Sequence, residues 1–360
     1  MRVLHLAQPL DAPRPWFSFS AHTGDCAGEG SLLAIRDCIQ HSAHTHPGET
    51  HHTALLGPAH TKSLARALGL HSVTAIAPPL GLPHRAAPAL RRLLTRTGPL
   101  DAVVTWGTNL RRLARRISHA APLWIEVDPH SGDVNTAQGH VRTRAAGAAI
   151  SGSPPPPPID RPAPPGPAYE RARAHLDIAP DERTIALLTD AACPGSATDL
   201  IAAASMLLVA GMTATFIIPA PCAELSRAQR RAREGAYASR IIFTHEPASR
   251  AAALADIAVC CPGSTAALAR HASLSAIARH ALLQGATVVA PDAWVSAWKG
   301  PDTPPHPRLI SARAATTTDI ARAILPILDR PPARTRAHAP APTHGVLSIL
   351  RSALRAARAD

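Results

Sequence analysis

Short apolar runs alternate with segments of helical period along this chain, in two successive series. Five consecutive prolines, residues 154–158, stand between the series. In the first series, strand-like runs at residues 3–7, 53–56, 73–76, 101–106 and 122–128 alternate with helical patterns at 31–40, 61–68, 86–95 and 109–118. A further strand is expected at 145–151. In the second, strands at 184–189, 214–218, 241–244, 256–261, 287–290 and 308–311 alternate with helices at 169–176, 197–210, 223–236, 248–255, 264–284 and 318–328. Strands that recur with a helix between them pair in parallel through right-handed crossovers, so the pattern predicts α/β architecture with parallel sheets. The proline tract continues through residues 159–167 as a stiff, extended connector and marks the expected boundary. The expected layout is a Rossmann-like domain over 1–150, a linker over 151–167 and a second Rossmann-like domain over 168–330. A proline-rich segment and an amphipathic helix follow over 331–360, with Val346, Leu347, Leu350 and Leu354 on one face and Arg351, Arg355 and Arg358 on the other.

Composition narrows the function classes. The chain has 360 residues, 46% of them hydrophobic, enough for two domains of roughly 100–200 residues. The net charge is +12, a balance that suits anionic partners. The arginines are not interleaved with aromatics as single-strand binders require, so nucleic acid is not an expected partner. A continuous face of Arg91, Arg92, Arg111, Arg112, Arg115 and Arg116 is what such a partner, or an anionic lipid surface, would need. Six cysteines without a C-x-x-C pair are not a disulfide framework. The histidines at 41, 44, 46, 51 and 52 match no zinc-ligand spacing. They read as an exposed flexible loop, and no metal site is expected. The opening apolar run is too short for a secretory leader, and no stretch reaches the ~18 apolar residues of a membrane helix. The expectation is a cytoplasmic protein, with peripheral contact to the inner membrane face through the last helix as the alternative to that helix packing on the body.

A more specific pattern runs from residue 148 onward. Ala148-Ala-Ile-Ser151-Gly-Ser153 leads into Pro158-Ile-Asp160, then the helix around Arg171–Leu176 and the strand 184–189. The helix carrying Thr198-Asp199-Leu200-Ile201 follows. Later come Asp256-Ile-Ala-Val-Cys-Cys-Pro262-Gly263-Ser264, then His280-Ala-Leu-Leu-Gln-Gly285-Ala-Thr-Val-Val-Ala290, then Asp319-Ile-Ala-Arg-Ala-Ile324. This resembles the interdomain stretch and nucleotide domain of GT-B glycosyltransferases, the family 4 type in particular. The resemblance is strongest over about 145–330, and residues 1–7 with Gly28-Glu29-Gly30 are similar to the family's opening strand and glycine loop. It implies a GT-B-like fold of two Rossmann-like α/β domains facing across a cleft, with a C-terminal helix. It also implies a nucleotide-sugar as substrate, no separate cofactor, and a glycan, lipid or small-molecule acceptor.

The resemblance carries over residue by residue. Donor binding falls to Gly195 and Ser196 at the start of a helix, to Gly263, Ser264 and Thr265, to His280, and to Arg240 as a stand-in cation. Gly28, Glu29, Gly30, Trp106 and Thr108 fall on the acceptor side. Asp128, with His130 two residues on, falls where the family often places a functional histidine. Asp128 would be a general base toward an acceptor hydroxyl, or Asp128-Pro129 is a loop turn. Trp106 and Thr108 face the cleft, or Trp106 packs and Thr108 caps a helix. The family's Glu-x7-Glu pair is replaced by Ala272 and His280, and residues 189–196 carry no cation. Two function classes follow: a divergent glycosyltransferase, and a GT-B-fold protein that has lost transfer and serves as a binding or scaffold partner.

Overall fold

The computed structural model describes residues 1–8, 29–57, 60–79, 83–107, 123–127, 134–138, 141–145, 167–190, 195–219, 224–235, 238–261, 272–299, 306–314 and 316–329, with positions 110, 113, 116, 117, 222 and 351 besides. The chain divides into two compact units. Unit 1 comprises residues 1–152, 271–276 and 341–360; unit 2 comprises 153–270 and 277–340.

Unit 1 is built on a seven-stranded sheet of β1 (Arg2–Ala7), β2 (Thr50–Leu56), β3 (Val73–Ile76), β4 (Ala102–Trp106), β5 (Leu123–Val127), β6 (Val134–Gln138) and β7 (Val141–Ala145), in the order β3-β2-β1-β4-β5-β6-β7. The first five strands are parallel. Successive side chains of a strand point to opposite faces. Leu4 and Leu6 therefore pack with Ala54, Leu56 and Val103 in one core cluster, joined by Leu90 of the helix α3 (Ala87–Thr97). Val3, His5 and Ala7 are buried on the other face. The helices α1 (Glu29–Thr45) and α2 (His60–Ala67) complete the crossovers.

Two sequence expectations change in unit 1. Of the strand expected at 145–151, residue 145 ends β7 and 146–151 lie outside the described residues. An antiparallel pair that was not expected, β6 and β7, extends the sheet beyond β5. Six residues separate β5 from β6 and two separate β6 from β7, far short of the dozen or so that a parallel crossover needs. The first helix is longer than 31–40, so Gly30 lies inside it. The histidine tract is an exposed loop only in part: His46 is exposed in the turn over 46–49, whereas buried His41 and exposed His44 belong to α1, and the half-buried His51 and His52 to β2.

Unit 2 holds a six-stranded, all-parallel sheet of β8 (Thr184–Leu188), β9 (Thr215–Pro219), β10 (Ile241–Thr244), β11 (Ile257–Cys260), β12 (Thr287–Pro291) and β13 (Leu309–Ala312), ordered β10-β9-β8-β11-β12-β13. Around it run α4 (Pro167–His175), α5 (Ala197–Val209), α6 (Leu225–Glu234), α7 (Ala248–Leu254), α8 (Ala272–Leu283), α9 (Asp292–Lys299) and α10 (Thr317–Leu328); residues 272–276 of α8 group with unit 1. Ile185, Leu187, Phe216, Ile218 and Val259 pack with α5 and α10 residues on one face, while Ala186 and Ile217 meet α7 residues on the other. Thr316 and Ser196 cap α10 and α5, each accepting the backbone N–H three residues on. The helix α9 was not expected; its Trp294 is buried in the unit 2 core at 2% exposure.

Buried Arg173 ties α4 to the start of β8. Its guanidinium donates to the Tyr169 hydroxyl (2.9 Å), the Thr184 hydroxyl (3.2 Å) and the carbonyls of Ala179 (2.8 Å) and Glu182. The Asp256 carboxylate lies 3.9 Å away. Among the described residues no helix is long and apolar enough to cross a membrane. Of the expected C-terminal helix only Arg351 is described, and it is helical.

Candidate functional site

Both sheets share the strand order of a doubly wound fold, in which the third, second and first strands are followed by the fourth and fifth. In such a sheet the chain leaves the first strand in one direction and the fourth in the other. The two loops part at the carboxyl ends and leave a crevice, which is where ligands of open α/β sheets bind. In unit 2 the crevice lies beyond β8 and β11, whose last residues Leu188 and Cys260 are paired in register.

The residues around this crevice are held by backbone contacts. The Gly195 N–H donates to Thr189 Oγ1 (3.0 Å), and the Ser196 N–H donates to the Cys261 carbonyl (2.7 Å), tying the loop after β8 to the residue after β11. Gly195 is forced by space. A Cβ there would stand 2.6 Å from the Leu188 carbonyl oxygen and 3.2 Å from the Leu187 side chain. From Ser196 the chain enters α5. The Ser196 hydroxyl accepts from the Asp199 N–H (3.3 Å) and lies 3.2 Å from the Thr198 hydroxyl. Thr198 donates in turn to the carboxylate of Glu224, a non-glycine residue at φ 58° beyond β9.

The chemistry on offer is therefore mixed. The first turn of a helix presents N–H groups and a positive dipole end, and the hydroxyls of Thr189, Ser196 and Thr198 lie on or beside the loop. Three carboxylates belong to the same segment and its neighbour: buried Asp190, Asp199 in the first turn, and Glu224. No lysine or arginine occurs between residues 189 and 199.

Of the donor-side residues expected from sequence, Gly195 and Ser196 stand together at this crevice. Arg240 does not join them. It precedes β10 at the amino end of the parallel sheet, where its guanidinium pairs with Glu182 at 2.7 Å. Burial raises the Glu182 carboxyl, but hydrogen bonds from Thr215, Ala179 and Arg240 outweigh it and hold the group below its ordinary range. His280 is half-buried on α8. Gly263, Ser264 and Thr265 lie outside the described residues.

In unit 1 the corresponding crevice lies beyond β1 and β4, where Ala7 and Trp106 are paired. Glu29 and Gly30 open α1, with the carboxylate at the helix's positive end. Gly107 turns the chain after β4 at φ 118°, a conformation suited to glycine. Trp106 is fully buried, and its indole N–H donates to His5 Nδ1 at 3.3 Å. Of the two alternatives for this residue, the structure shows packing. Gly28, Thr108, Asp128 and His130 lie outside the described residues. Among the described residues no group of three or more His, Cys, Asp or Glu is arranged to hold a metal ion.

Sequence reasoning missed Thr189, Asp190, Thr198 and Glu224 as members of the candidate site. Thr189 and Asp190 directly follow an apolar strand, a position that predicts the carboxyl-end crevice once strand order is known. Glu224 carried no signal, because its backbone conformation is not written in local sequence.

No family model matches the chain, and no curated protein matches it. Solved structures do. A putative UDP-N-acetylglucosamine 2-epimerase from Listeria monocytogenes aligns with a TM-score of 0.49 at 11% identity, over 97% of this chain and 94% of that one. The ADP-heptose lipopolysaccharide heptosyltransferase II of E. coli aligns with a TM-score of 0.48 at 11% identity, over 91% and 98%. The UDP-GlcNAc 2-epimerase of Neisseria meningitidis, bound to UDP-GlcNAc, aligns with a TM-score of 0.47 at 10% identity, over 99% and 100%.

Proposed function

We propose that this chain is a divergent glycosyltransferase of the GT-B type, which binds a sugar nucleotide on unit 2 and passes the sugar to an acceptor bound by unit 1. The observation that carries the reading is the crevice beyond β8 and β11. There Gly195 is pressed against the Leu188 carbonyl and the Ser196 amide is fixed to Cys261, so the first turn of α5 opens on the crevice. Thr189, Ser196 and Thr198 supply hydroxyls for a nucleotide or sugar. Gly263, Ser264, Thr265 and His280 are proposed to complete the donor site, with Asp128 and His130 deprotonating the acceptor hydroxyl. The family 4 likeness of residues 145–330 is the finer form of the same proposal.

One observation favours the second reading, a GT-B-fold protein that binds without transferring. Asp190, Asp199 and Glu224 place negative charge at the start of α5, and Arg240 is paired elsewhere. Arg227 pairs with Glu224 at 3.7 Å, but the segment 189–199 itself carries no cation, and bringing a diphosphate beside its carboxylates is costly.

Thermal melting with UDP, GDP, ADP and their sugar conjugates tests both, because a ligand of the folded state alone stabilises it by RT ln(1 + [L]/Kd). The transferase reading predicts a rise with one nucleotide series, reduced by Gly195→Ala, and slow release of nucleotide from its sugar conjugate. A rise without any turnover supports the second reading. No rise with any series contradicts a sugar-nucleotide site.

A further inference from the structure

A line of buried polar groups runs across the β1 face that carries His5, from Trp106 at the carboxyl end of β4 through β1 to β2. The Trp106 indole N–H donates to His5 Nδ1 at 3.3 Å. His5 Nε2 lies 3.0 Å from His51 Nδ1. His51 Nε2 is buried without a hydrogen-bond partner, 3.7 Å from Glu49 Oε2. Glu49 accepts from Arg351 Nε (3.1 Å) and Nη2 (2.9 Å), and from the Ser42 hydroxyl. Arg351 stands 302 residues from Glu49 in the sequence.

The direction of the line follows from the donors. An indole N–H can only donate. His5 Nδ1 must therefore accept, so the single proton of a neutral His5 sits on Nε2. That proton points at His51 Nδ1, which must accept in turn, so the proton of His51 sits on Nε2 and points toward Glu49. A second proton on either imidazole sets two N–H groups face to face, at His5–His51 or at Trp106–His5. The arrangement is consistent only with both rings neutral.

We propose that Trp106, His5 and His51 form a one-way hydrogen-bond relay that keeps His51 neutral beside Glu49, and that proton uptake at His51 loosens Arg351 from Glu49, making the hold on the C-terminal residues a pH-sensitive latch. The charged and titratable groups facing His51 are His5 on β1, the Met1 amine, Glu49, and Arg351. At the far end of the line, His41 and Cys38 on α1 and His46 face Glu49 and Arg351. Burial drives the His51 imidazole down to about 4; Glu49 opposes this, while Arg351 and the Met1 amine add to it. The effect of Arg351 is the important one. Because Arg351 disfavours a proton on His51, a proton on His51 disfavours the seat of Arg351 by the same free energy. His41, lowered by burial and then by Arg351, acts in the same direction. The neutral relay and the Glu49–Arg351 pair therefore stand together at neutral pH and weaken together as pH falls toward 4.

The test uses the full chain labelled with 15N-histidine, with His5 and His51 assigned through His5→Gln and His51→Gln. At pH 7 both rings should be neutral and carry the proton on Nε2. A proton on Nδ1 of either ring, or a charged ring, overturns the relay whatever the variants do. Hydrogen exchange around residue 351, corrected for intrinsic rates, tests the latch. From pH 7 to pH 4.5 the protection should fall at least ~10-fold while β4 stays protected, the signature of local rather than global opening. In His51→Gln the fall should shrink, and in His51→Gln combined with His41→Gln it should vanish. In Trp106→Phe, where His5 is free to turn its proton to Nδ1 and accept from a charged His51, it should occur about one pH unit higher. A fall that persists unchanged in His51→Gln, or one that occurs only together with β4, overturns the latch.

Discussion

Gly195→Ala is the sharpest probe of the loop after β8. The added Cβ would lie 2.6 Å from the Leu188 carbonyl oxygen, a backbone atom at the end of a central strand, and 3.2 Å from Leu187. Neither can move aside cheaply, because Leu188 is paired in register with Cys260 and Leu187 belongs to the core. The loop must lift. Lifting it strains the Gly195–Thr189 hydrogen bond (3.0 Å) and the Ser196–Cys261 hydrogen bond (2.7 Å). Overpacking costs about 1–3 kcal/mol, and each weakened hydrogen bond about 0.5–1.5 kcal/mol. A loss of about 2–6 kcal/mol in unit 2 follows, which for a unit of this size is a fall of roughly 4–24 °C in Tm. Differential scanning calorimetry beside Gly48→Ala provides the control. Nothing lies within 4 Å of a Cβ at Gly48 and its φ is unstrained, so that change should be neutral or stabilise by about 0.4–1 kcal/mol. If Gly195→Ala melts within a degree of the unaltered protein, the loop does not press on β8 as described and the site built on it loses its support.

Other outcomes follow from the same structure. Arg173→Met should lower the urea midpoint by an amount equivalent to about 3 kcal/mol, since it strips donors from two carbonyls and from the Thr184 hydroxyl; Tyr169→Phe, which removes the acceptor for Arg173 and the donor to the Leu254 carbonyl, should cost about 1–2 kcal/mol. Ser196→Ala removes the α5 cap and should cost about 1 kcal/mol, read in the same titration. His51 binds a proton more weakly folded than unfolded, so the unfolded state takes up protons first as pH falls. Stability from this residue should be complete above pH 6.5 and be lost progressively down to about pH 4, by about 3 kcal/mol, so denaturation curves of His51→Gln should lack that share of the pH dependence while the share from His306, also lowered to about 4 by burial, remains. Among the described cysteines, Cys222 should react first with iodoacetamide. Its thiol is half-buried and raised by burial to about 11, while burial raises Cys38 and Cys261 further.

The strand and helix succession of both units was legible because each strand is a short apolar run and each crossover helix carries its own stop. Gly211 after α5 and Gly285 after α8 both adopt positive φ. What failed did so for physical reasons. The pair β6 and β7 places Val134-Asn-Thr-Ala-Gln against Val141-Arg-Thr-Arg-Ala with two residues, Gly139 and His140, between them in sequence. That is a hairpin pattern, but it was hidden by an expectation of parallel strands. The histidine tract looked like a loop because its polar residues, with Pro47 and Gly48 among them, show no apolar period. Burial of His51 becomes possible only through His5 on another strand and Arg351 at the far end of the chain, and neither partner is visible locally. At the candidate site, Gly195 and Ser196 were legible as a glycine-bearing turn before a helix. The pairing of Arg240 with Glu182 was not, because it depends on which end of the sheet the residue before β10 occupies.

A sugar nucleotide is proposed to enter the crevice beyond β8 and β11. Hydrogen exchange on the full chain, with and without saturating UDP, ADP or GDP sugar conjugates, tests it most directly. The account predicts slowed exchange across residues 189–199 with one nucleotide series, and the loss of that protection in Gly195→Ala. Unchanged exchange in this segment with every series, or protection confined to other segments, would contradict it.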